Sequence, residues 1–479
     1  MGVALKDKGE VDAAIDSYNQ ALKIKPDYAE AYYNMGVVLN DKGEVDAAID
    51  NYKQSIKIEP DYAVAYYNMG NALKDKGELD ATIDSYKQAS KIKPDYPDAY
   101  NNMGVALQDK GEVDAAIDSY KQAIKIKPDY ADAYNNMGFA LKDKGELDAA
   151  IERYKQAIKI KPDFAGAHHN LSFAFLNAGR LKEGLDKYEW RWKTSKFLPM
   201  KRYFSQPLWD GLKDLKGHRI FLWGEQGPQD MIIWSSCLPY LSFHASHCII
   251  ESPKKLVPLF ARSFPNAEFK PEDRNLDKQR EDFDFHLPMG SLFRHFIPEI
   301  SKKTKPDAFL IPDPARVNFW KERLNSLGKG PFVGISWKSP LVTPNRLPNY
   351  TQTSDWAPVI TLPNVTFINL QSSDFRDDLA AIQAAFGVTV HNFDDLDHYN
   401  DLDDVAALSA ALDIVVSVST AVSAIAAGVG TPTKLVAWRQ SSWNNLLLAP
   451  RGPFVDTFER NTWEPWDGVF QSVAKDIAE

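Results

Sequence analysis

Residues 100–133 read YNNMGVALQDKGEVDAAIDSYKQAIKIKPDYADA, and this stretch decides the fold of the first part of the chain because it recurs with a period of 34 residues. Glycine holds the same place in successive copies, at Gly2, Gly36, Gly70, Gly104 and Gly138. Proline does the same at Pro26, Pro60, Pro94, Pro128 and Pro162. A supersecondary unit repeated at this period predicts a solenoid, because one copy buries its apolar face only by stacking on its neighbours.

Each copy contains two predicted amphipathic helices. Apolar or small residues with helical spacing mark the first helix, at Tyr100, Met103, Gly104 and Leu107. The second helix is marked in the same way by Ala116, Tyr120 and Ala123. The glycines and alanines are small because the two helices approach closely there. A glycine-containing turn separates the helices, and the KPD segment ends the second one since proline cannot continue a helix.

This pattern resembles the tetratricopeptide repeat, and the resemblance covers residues 1–192. A last, degenerate copy runs through His168, Leu171 and Tyr188. Met1 occupies the position of Met35, in the middle of a first helix. The sequence therefore suggests that the natural protein extends further N-terminally or that the chain has been shortened.

One column of asparagines has a functional interpretation and a neutral one. The residues are Asn34, Asn68, Asn102, Asn136 and Asn170. The helical phase predicts that they line the concave surface, where amides can donate to and accept from an extended peptide backbone. The column is similar to the asparagine ladder of O-GlcNAc transferase. Alternatively, the asparagines were simply copied with recently duplicated repeats.

Composition limits the remaining possibilities. The 479 residues are too many for one core, so two to four domains are expected. A formal net charge of −9 argues against a general nucleic-acid partner. The two cysteines, Cys237 and Cys248, provide neither a disulfide scaffold nor a zinc motif. No signal peptide or membrane-spanning run is present in the sequence, which favours a cytoplasmic protein; a homo-oligomeric state stays open.

The second half of the chain alternates predicted strands with predicted helices. Strands are expected at 218–223, 248–250, 332–337, 366–370, 388–391, 413–418 and 433–437. This alternation predicts two α/β domains with parallel sheets, at 193–328 and 329–462, followed by a C-terminal helix over 463–479. Trp463, Trp466 and Phe470 are expected to pack that helix back near the cleft between the two domains, which is the default active site.

Ser419 and Thr420 follow a predicted buried strand, and a helix of small residues begins at Ala421. Unpaired N–H groups at a helix N-terminus, together with two hydroxyls, suit a diphosphate. An ordinary helix cap explains the same residues, because serine and threonine are preferred there.

The second half resembles the heptosyltransferase-like glycosyltransferases, which have the GT-B fold of two facing Rossmann-like domains. Their signature, roughly DTxxAHLAGALGxP, is similar to residues 419–432, STAVSAIAAGVGTP. Ser419 and Ala424 stand where the family has Asp and His, two residues that approach the donor sugar and phosphate. Residues 225–230, EQGPQD, resemble the EQGLGD loop of related repeat-containing transferases, with Pro228 and Gln229 departing from it. Similar agreement exists at residues 188–192, 206–211, 334–338 and 369–371.

The resemblance and the charge requirements of glycosyl transfer assign candidate roles. Asp230 matches the family general base, and Glu225 in the same loop is the alternative base. Lys338 and Arg346 are candidates to neutralise the leaving diphosphate. Further donor-side candidates are Ser339, Ser419, Thr420, Ala421, Gln371, His391 and Asn392. No cofactor and no metal are expected, although Asp394-Asp395 keeps a metal open; the acidic pairs 377–378 and 403–404 read as loop or cap charge.

The sequence therefore predicts an inverting protein glycosyltransferase that moves a sugar from a nucleotide-sugar to a polypeptide recruited by the repeats. Two alternatives remain. Loss of the family Asp and His would suit a catalytically silent binding protein or scaffold. A transferase of this type could also act on lipopolysaccharide or another glycan.

Overall fold

A computed structural model describes residues 1–242, 244–297, 308–339, 350–438, 454–460 and 464–479. These residues form two compact units, 1–171 and 172–479. The predicted fold class is confirmed: a helical solenoid is followed by an α/β region with two parallel sheets. Within the described ranges, none of the helices combines the length and apolar character that crossing a membrane requires.

Twelve helices make up the repeats. They are α1 Gly2–Asp7, α2 Val11–Ile24, α3 Ala29–Asp41, α4 Val45–Ile58, α5 Ala63–Asp75, α6 Leu79–Ile92, α7 Pro97–Asp109, α8 Val113–Ile126, α9 Ala131–Asp143, α10 Leu147–Ile160, α11 Ala165–Asn177 and α12 Leu181–Tyr188. The boundary between the units falls within α11, and α12 packs in the second unit. The sequence predicts that the repeats continue to residue 192, so the last copy is shared between the units.

Close helix approach explains the repeated glycine. A Cβ atom on Gly104 would lie 2.6 Å from the ring of Tyr120, and one on Gly70 would lie 2.7 Å from the ring of Tyr86. Those tyrosines are fully buried. The glycine and the tyrosine 16 residues later therefore form one interlocking pair per repeat, which explains the close helix approach expected from the small residues.

The second unit contains two parallel sheets. The first consists of β1 Arg219–Trp223, β2 His247–Ser252, β3 Ala267–Pro271 and β4 Phe285–Pro288, in the order β3-β2-β1-β4. The second consists of β5 Phe332–Ser336, β6 Thr366–Asn369, β7 Val390–His391, β8 Ile414–Val418, β9 Thr433–Trp438 and β10 Val455–Arg460, in the order β10-β9-β8-β5-β6-β7. Strand order reverses between β1 and β4 and between β5 and β8. These are the topological switch points where ligands bind in open sheets.

Nine further helices accompany the sheets in the described part of the second unit. They are α13 Pro228–Ser235, α14 Leu238–Leu241, α15 Val257–Ser263, α16 Pro314–Asn325, α17 Ala357–Ile360, α18 Arg376–Phe386, α19 Leu402–Ala411, α20 Ala421–Val429 and α21 Asp467–Ala478. Strands β3, β4 and β10 and helices α16 and α17 are additions to the elements expected from sequence. Helix α13 begins at Pro228, within the stretch 225–230 that the sequence predicts as a loop, because proline is favoured in the first helical position.

One apolar core joins the helical layers of the two sheets. Trp234 on α13 and Ile425 on α20 both belong to it and are fully buried. A separate core fills the far face of the second sheet, where Trp466 and Phe470 of α21 are buried and Phe470 lies 4.8 Å from the ring of Trp356. Trp466 and Phe470 are buried as expected, but in the core on the far face of the second sheet rather than near the cleft, and Trp463 lies outside the described residues.

The far face of the first sheet is covered by an irregular segment instead of a helix. Trp192 and Phe204 pack on Phe221 and Trp223. Beside them, the buried Arg202 pairs with Glu251 at the end of β2. The residues that follow the repeats are therefore part of the α/β fold, because they supply the cover that this sheet face needs.

Candidate functional site

The candidate site lies where the two sheets meet. Helix α13 follows β1, helix α20 follows β8, and the two helices pack on each other. Gln229, in the first turn of α13, donates a hydrogen bond of 2.8 Å from Nε2 to Oγ of Ser419, which directly follows β8. The segments that follow the carboxyl ends of strands from both switch points therefore meet here.

The N-terminus of α20 is capped by its own hydroxyls. Thr420 is the N-cap residue, its side chain accepts from the third helical N–H, and its own N–H donates to Ser423 Oγ at 3.2 Å. The structure thus gives Thr420 the ordinary cap role that the sequence left open. Ser419 and Ala421 flank this cap, and Ser419 directs its hydroxyl at Gln229.

Asp230 is half-buried in the first turn of α13. The sequence placed it in the preceding loop; it lies in the helix because α13 begins at Pro228. Burial raises the pKa of Tyr188 well above its usual range, and the negative charge of Asp230 adds to that rise. Asp230 therefore lies near Tyr188, whose hydroxyl accepts from Gln226 Nε2 at 2.9 Å.

Glu225 is a partner in a buried ion pair. Arg191 donates from Nε to Oε2 of Glu225 at 2.7 Å and from Nη2 to Oε1 at 2.9 Å, and the Gly290 N–H also donates to Oε1 at 2.7 Å. Arg191 additionally reaches Ser291 and Glu189, both at 2.8 Å. Both paired side chains are 0 % exposed. This geometry argues against the general-base role considered for Glu225, because both carboxylate oxygens are engaged and no solvent or substrate reaches them.

Burial alone would lower the pKa of Arg191, but the charges of Glu225 and Glu189 raise it above its usual range. The guanidinium is therefore permanently charged. Its carboxylate partners compensate that charge in the interior, where an unpaired charge would be costly. The pair fixes the segment after α12 against the loop after β1.

Gln371 shapes the loop after β5. Its Oε1 accepts from the N–H groups of Trp337 and Lys338 at 2.9 and 3.0 Å, and its Nε2 donates to the Lys338 carbonyl at 2.7 Å. The side chain is fully buried. Gln371 therefore holds the backbone of a neighbouring predicted ligand residue, an arrangement that the sequence motif does not reveal.

Lys338 is half-buried and forms an ion pair with Asp378 of α18. Trp337 also donates to the same carboxylate oxygen of Asp378, at 2.9 Å. The sequence grouped Asp378 with loop or cap charge and missed this partnership. Ser339, half-buried, follows at the end of the described segment, and Arg346 lies outside the described residues.

Two further predicted residues lie at the end of β7. Asn392 accepts from Asn369 Nδ2 at 2.8 Å and donates to Asp394 at 2.8 Å, while His391 is half-buried in the strand. They share the carboxyl edge of the second sheet with Gln371, because β6 and β7 are parallel neighbours. The structure thus places these three residues on the edge that bears Lys338.

The acidic residues around α19 form ion pairs. Asp403 binds Arg262 with both carboxylate oxygens, and Asp395 binds Arg323 at 2.6 Å. Asp404 pairs with Arg316. Among the described residues, no group of three or more His, Cys, Asp or Glu side chains could hold a metal ion.

The asparagine column is hydrogen-bonded from repeat to repeat. Asn136 Nδ2 donates to Asn101 Oδ1 at 3.1 Å, and Asn170 Nδ2 donates to Asn135 Oδ1 at 3.0 Å. In earlier repeats the acceptors are tyrosine hydroxyls, Tyr33 for Asn68 and Tyr67 for Asn102. All five column residues, Asn34 included, are half-buried. Each of these four amides thus links neighbouring repeats, and Asn102 does so twice, because its Nδ2 also donates to Asn71 Oδ1 at 3.2 Å.

Comparison with known proteins identifies the repeats. The sequence profile described as TPR repeat matches residues 2–42, 38–77, 70–111, 106–145 and 140–179. Residues 2–179 are therefore tetratricopeptide repeats. Over 293 residues, which are 56% of this chain, the chain is 33% identical to Protein FlbA of Caulobacter vibrioides. The match covers 48% of that protein, so the chain spans about half the length of this relative.

Solved structures match part of this chain. The crystal structure of MamA is 33% identical over 34% of this chain and 95% of its own, with a TM-score of 0.33. The TPR protein YrrB is 19% identical over 38% of this chain and 94% of its own, with a TM-score of 0.34. TM-scores this low add nothing to the assignment of the repeats.

Proposed function

We propose that this chain is a glycosyltransferase of the GT-B type that transfers a sugar from a nucleotide-sugar to a polypeptide. The observation that carries the proposal is the contact between the two switch points, made by Gln229 and Ser419. Two parallel sheets that direct their ligand-binding edges at each other suit a donor held by one sheet and an acceptor held by the other. The sequence motifs at both edges support the same reading.

Asp230 is the proposed general base. It lies beside the switch-point contact in the first turn of α13, and its carboxylate can take the proton of an acceptor hydroxyl or amide. The leaving diphosphate is proposed to bind at the start of α20, where helix N–H groups and Lys338 supply positive potential without a metal. Inversion at the anomeric carbon and a cytoplasmic location remain part of this proposal.

The repeats are proposed to recruit the acceptor polypeptide. Support comes from the regular spacing of the asparagine amides and from the bonds between repeats that fix their orientation. Each amide has two N–H donors, so in Asn68, Asn136 and Asn170 the donor used for a neighbouring repeat leaves a second for a peptide carbonyl. Asn102 makes two bonds to the preceding repeat and would have to exchange one of them. Such a ladder would bind the backbone of the acceptor peptide rather than its side chains.

The test has two stages on the full chain. Thermal stabilisation against ADP, GDP, UDP and CMP identifies a donor nucleotide, because a ligand at 100 times its Kd adds about 2.7 kcal/mol of stability. Transfer from the matching nucleotide-sugar to a peptide mixture is then measured for Asp230→Asn. We expect transfer to fall about 10²- to 10⁴-fold with nucleotide binding intact. Asp467→Asn, another acid in the first turn of a helix, is the matched control and should keep full activity. If the wild-type protein is folded and none of the nucleotides raises its thermal stability, the proposal is contradicted.

A catalytically silent binding protein is the second candidate. Glu225, Gln371 and Lys338 are all engaged by neighbouring groups, as residues with a structural role would be. Nucleotide binding without any transfer, in the wild type and in Asp230→Asn alike, would favour this candidate.

A further inference from the structure

A hydrogen bond between side chains joins the two switch points. Gln229 Nε2 donates to Ser419 Oγ at 2.8 Å, although the two residues lie 190 positions apart in the chain. Both side chains are half-buried, so they lie at the margin of the contact between α13 and α20 rather than in its apolar core. The bond therefore lies where a ligand of either sheet can reach it.

Both partners occupy positions at which the sequence departs from the motifs it resembles. Residues 225–230 have Gln229 where the similar loops have glycine, and residue 419 is serine where the similar signature has aspartate. A glycine could not make this bond because it has no side chain. The two departures thus produce one new contact between a neutral donor and a hydroxyl, at a place where the similar proteins would carry a carboxylate.

This bond is not needed to hold the α/β layers together. Arg262 of α15 binds both carboxylate oxygens of Asp403 on α19, and Lys255 donates to the Tyr399 carbonyl at 2.9 Å. Beneath them lies the shared apolar core of α13 and α20. Because other contacts supply the cohesion, the amide of Gln229 can exchange its partner without separating the layers.

We propose that Gln229 is a donor-positioning residue, that is, one that positions the nucleotide-sugar. Its amide leaves Ser419 and donates a hydrogen bond to the diphosphate of the bound nucleotide-sugar. This inference rests on the proposed function. In the free protein, Ser419 satisfies the amide and keeps it directed at the start of α20. In the complex, the Gln229 amide and the Ser419 hydroxyl become two neutral donors to the phosphate oxygens, and no bond is made or broken covalently.

The decisive variant is Gln229→Glu. A carboxylate in the first turn of α13 interacts favourably with the helix dipole and can accept a hydrogen bond from the Ser419 hydroxyl, so folding stability should hold. The same carboxylate repels a phosphate group placed at Ser419. A merely structural role therefore predicts unchanged nucleotide binding, whereas a donor-positioning role predicts a large loss.

The experiment titrates full-length wild type, Gln229→Glu and Gln229→Ala with the four nucleotides above and with inorganic pyrophosphate, by calorimetry. We expect Gln229→Glu to weaken the binding of nucleotide and pyrophosphate at least tenfold, which corresponds to about 1.4 kcal/mol. Gln229→Ala should weaken it about threefold, the loss expected for one neutral hydrogen bond. Lys255→Ala, which removes a contact between the layers away from the bond, is the control and should bind as the wild type does.

The outcomes separate the two proposals. Wild-type binding that Gln229→Glu leaves within twofold would overturn this inference and leave the proposed function standing. Absence of binding to every probe by the folded wild type would overturn both. A loss of binding equal in Gln229→Glu and Lys255→Ala would also overturn the inference, because general loosening of the layers would then explain it.

Discussion

Replacing Glu225 by glutamine tests the central structural conclusion about the loop after β1. The carboxylate accepts three hydrogen bonds, two from Arg191 and one from the Gly290 N–H, and neither member of the ion pair is exposed. Glutamine has nearly the same shape but no charge, and its amide nitrogen would face an Arg191 donor. The variant therefore isolates the charge of the pair with little change in packing.

The magnitude follows from the burial of Arg191. Neutralising one partner of a buried pair typically destabilises a protein by about 3–5 kcal/mol, because the other charge stays behind without compensation. Glu189 lies 2.8 Å from Nη1 of Arg191 and keeps part of that compensation. We therefore expect a loss at the lower end, about 3 kcal/mol. Glu183→Gln removes an exposed pair with Arg180 and should cost less than about 1 kcal/mol.

Tryptophan fluorescence provides a selective assay. All 12 tryptophans lie between residues 190 and 466, so their emission reports on the second unit and not on the repeats. Urea unfolding of the full chain followed by this signal gives the midpoint and slope for that unit, while helical circular dichroism follows both units. The change in midpoint at a constant slope measures the cost of each variant.

A loss below about 1 kcal/mol for Glu225→Gln would refute the reasoning, because a buried pair cannot be neutralised so cheaply. A variant that keeps its stability but loses activity would be equally informative. If the variant unfolds as the wild type does but loses sugar transfer, Glu225 is a general base after all and the ion pair is not its main role.

Three further predictions concern packing, titration and peptide recognition. Gly104→Ala should destabilise the repeats by about 1–3 kcal/mol, measured by circular dichroism, because its Cβ would meet the Tyr120 ring; an unchanged midpoint would contradict the close contact. Burial lowers the pKa of His398 to about 4, against about 6.5 in the unfolded chain. The contribution of the neutral imidazole to the free energy of unfolding is therefore complete above pH 6.5 and is lost as the pH falls towards 4. In urea unfolding, His398→Phe should reduce the loss of stability between these pH values by roughly 3 kcal/mol, and an unchanged pH profile would contradict this. Asn136→Ala should weaken peptide binding while nucleotide binding stays unchanged, and the lost bond to Asn101 should cost the repeats about 1 kcal/mol; unchanged peptide affinity would leave the residue with a role between repeats alone.

The local sequence pattern was sufficient to predict many of the helices and strands of the second unit. Helix α20 has the residues expected from sequence, and the expected strands β1, β5 and β8 lie within a residue or two of their observed ends. Their signals are strong because continuous runs of buried β-branched and aromatic residues form central parallel strands. Strands β3 and β4 were missed because Ala267–Pro271 and Phe285–Pro288 are short and carry polar residues.

The roles of individual polar residues could not be predicted in the same way. From the sequence, Lys338 and Gln371 are ligand-binding candidates and Glu225 is the alternative general base, since charged and amide side chains at strand ends often bind or act on ligands. Their actual partners lie 40, 33 and 34 residues away in sequence. Which of several candidate partners a side chain reaches depends on how strands and loops are arranged in space, and no local pattern encodes that arrangement.

The sequence by itself determined the solenoid, because each repeat contacts mainly its neighbours and the 34-residue period specifies those contacts. It also determined seven of the ten described parallel strands, namely β1, β2 and β5 to β9. Only the tertiary structure decided that the loop after β1 meets the end of β8, joining Gln229 to Ser419 across 190 residues. The physical reason is that this contact depends on the packing of α13 on α20 within one shared core, which is a property of the whole second unit.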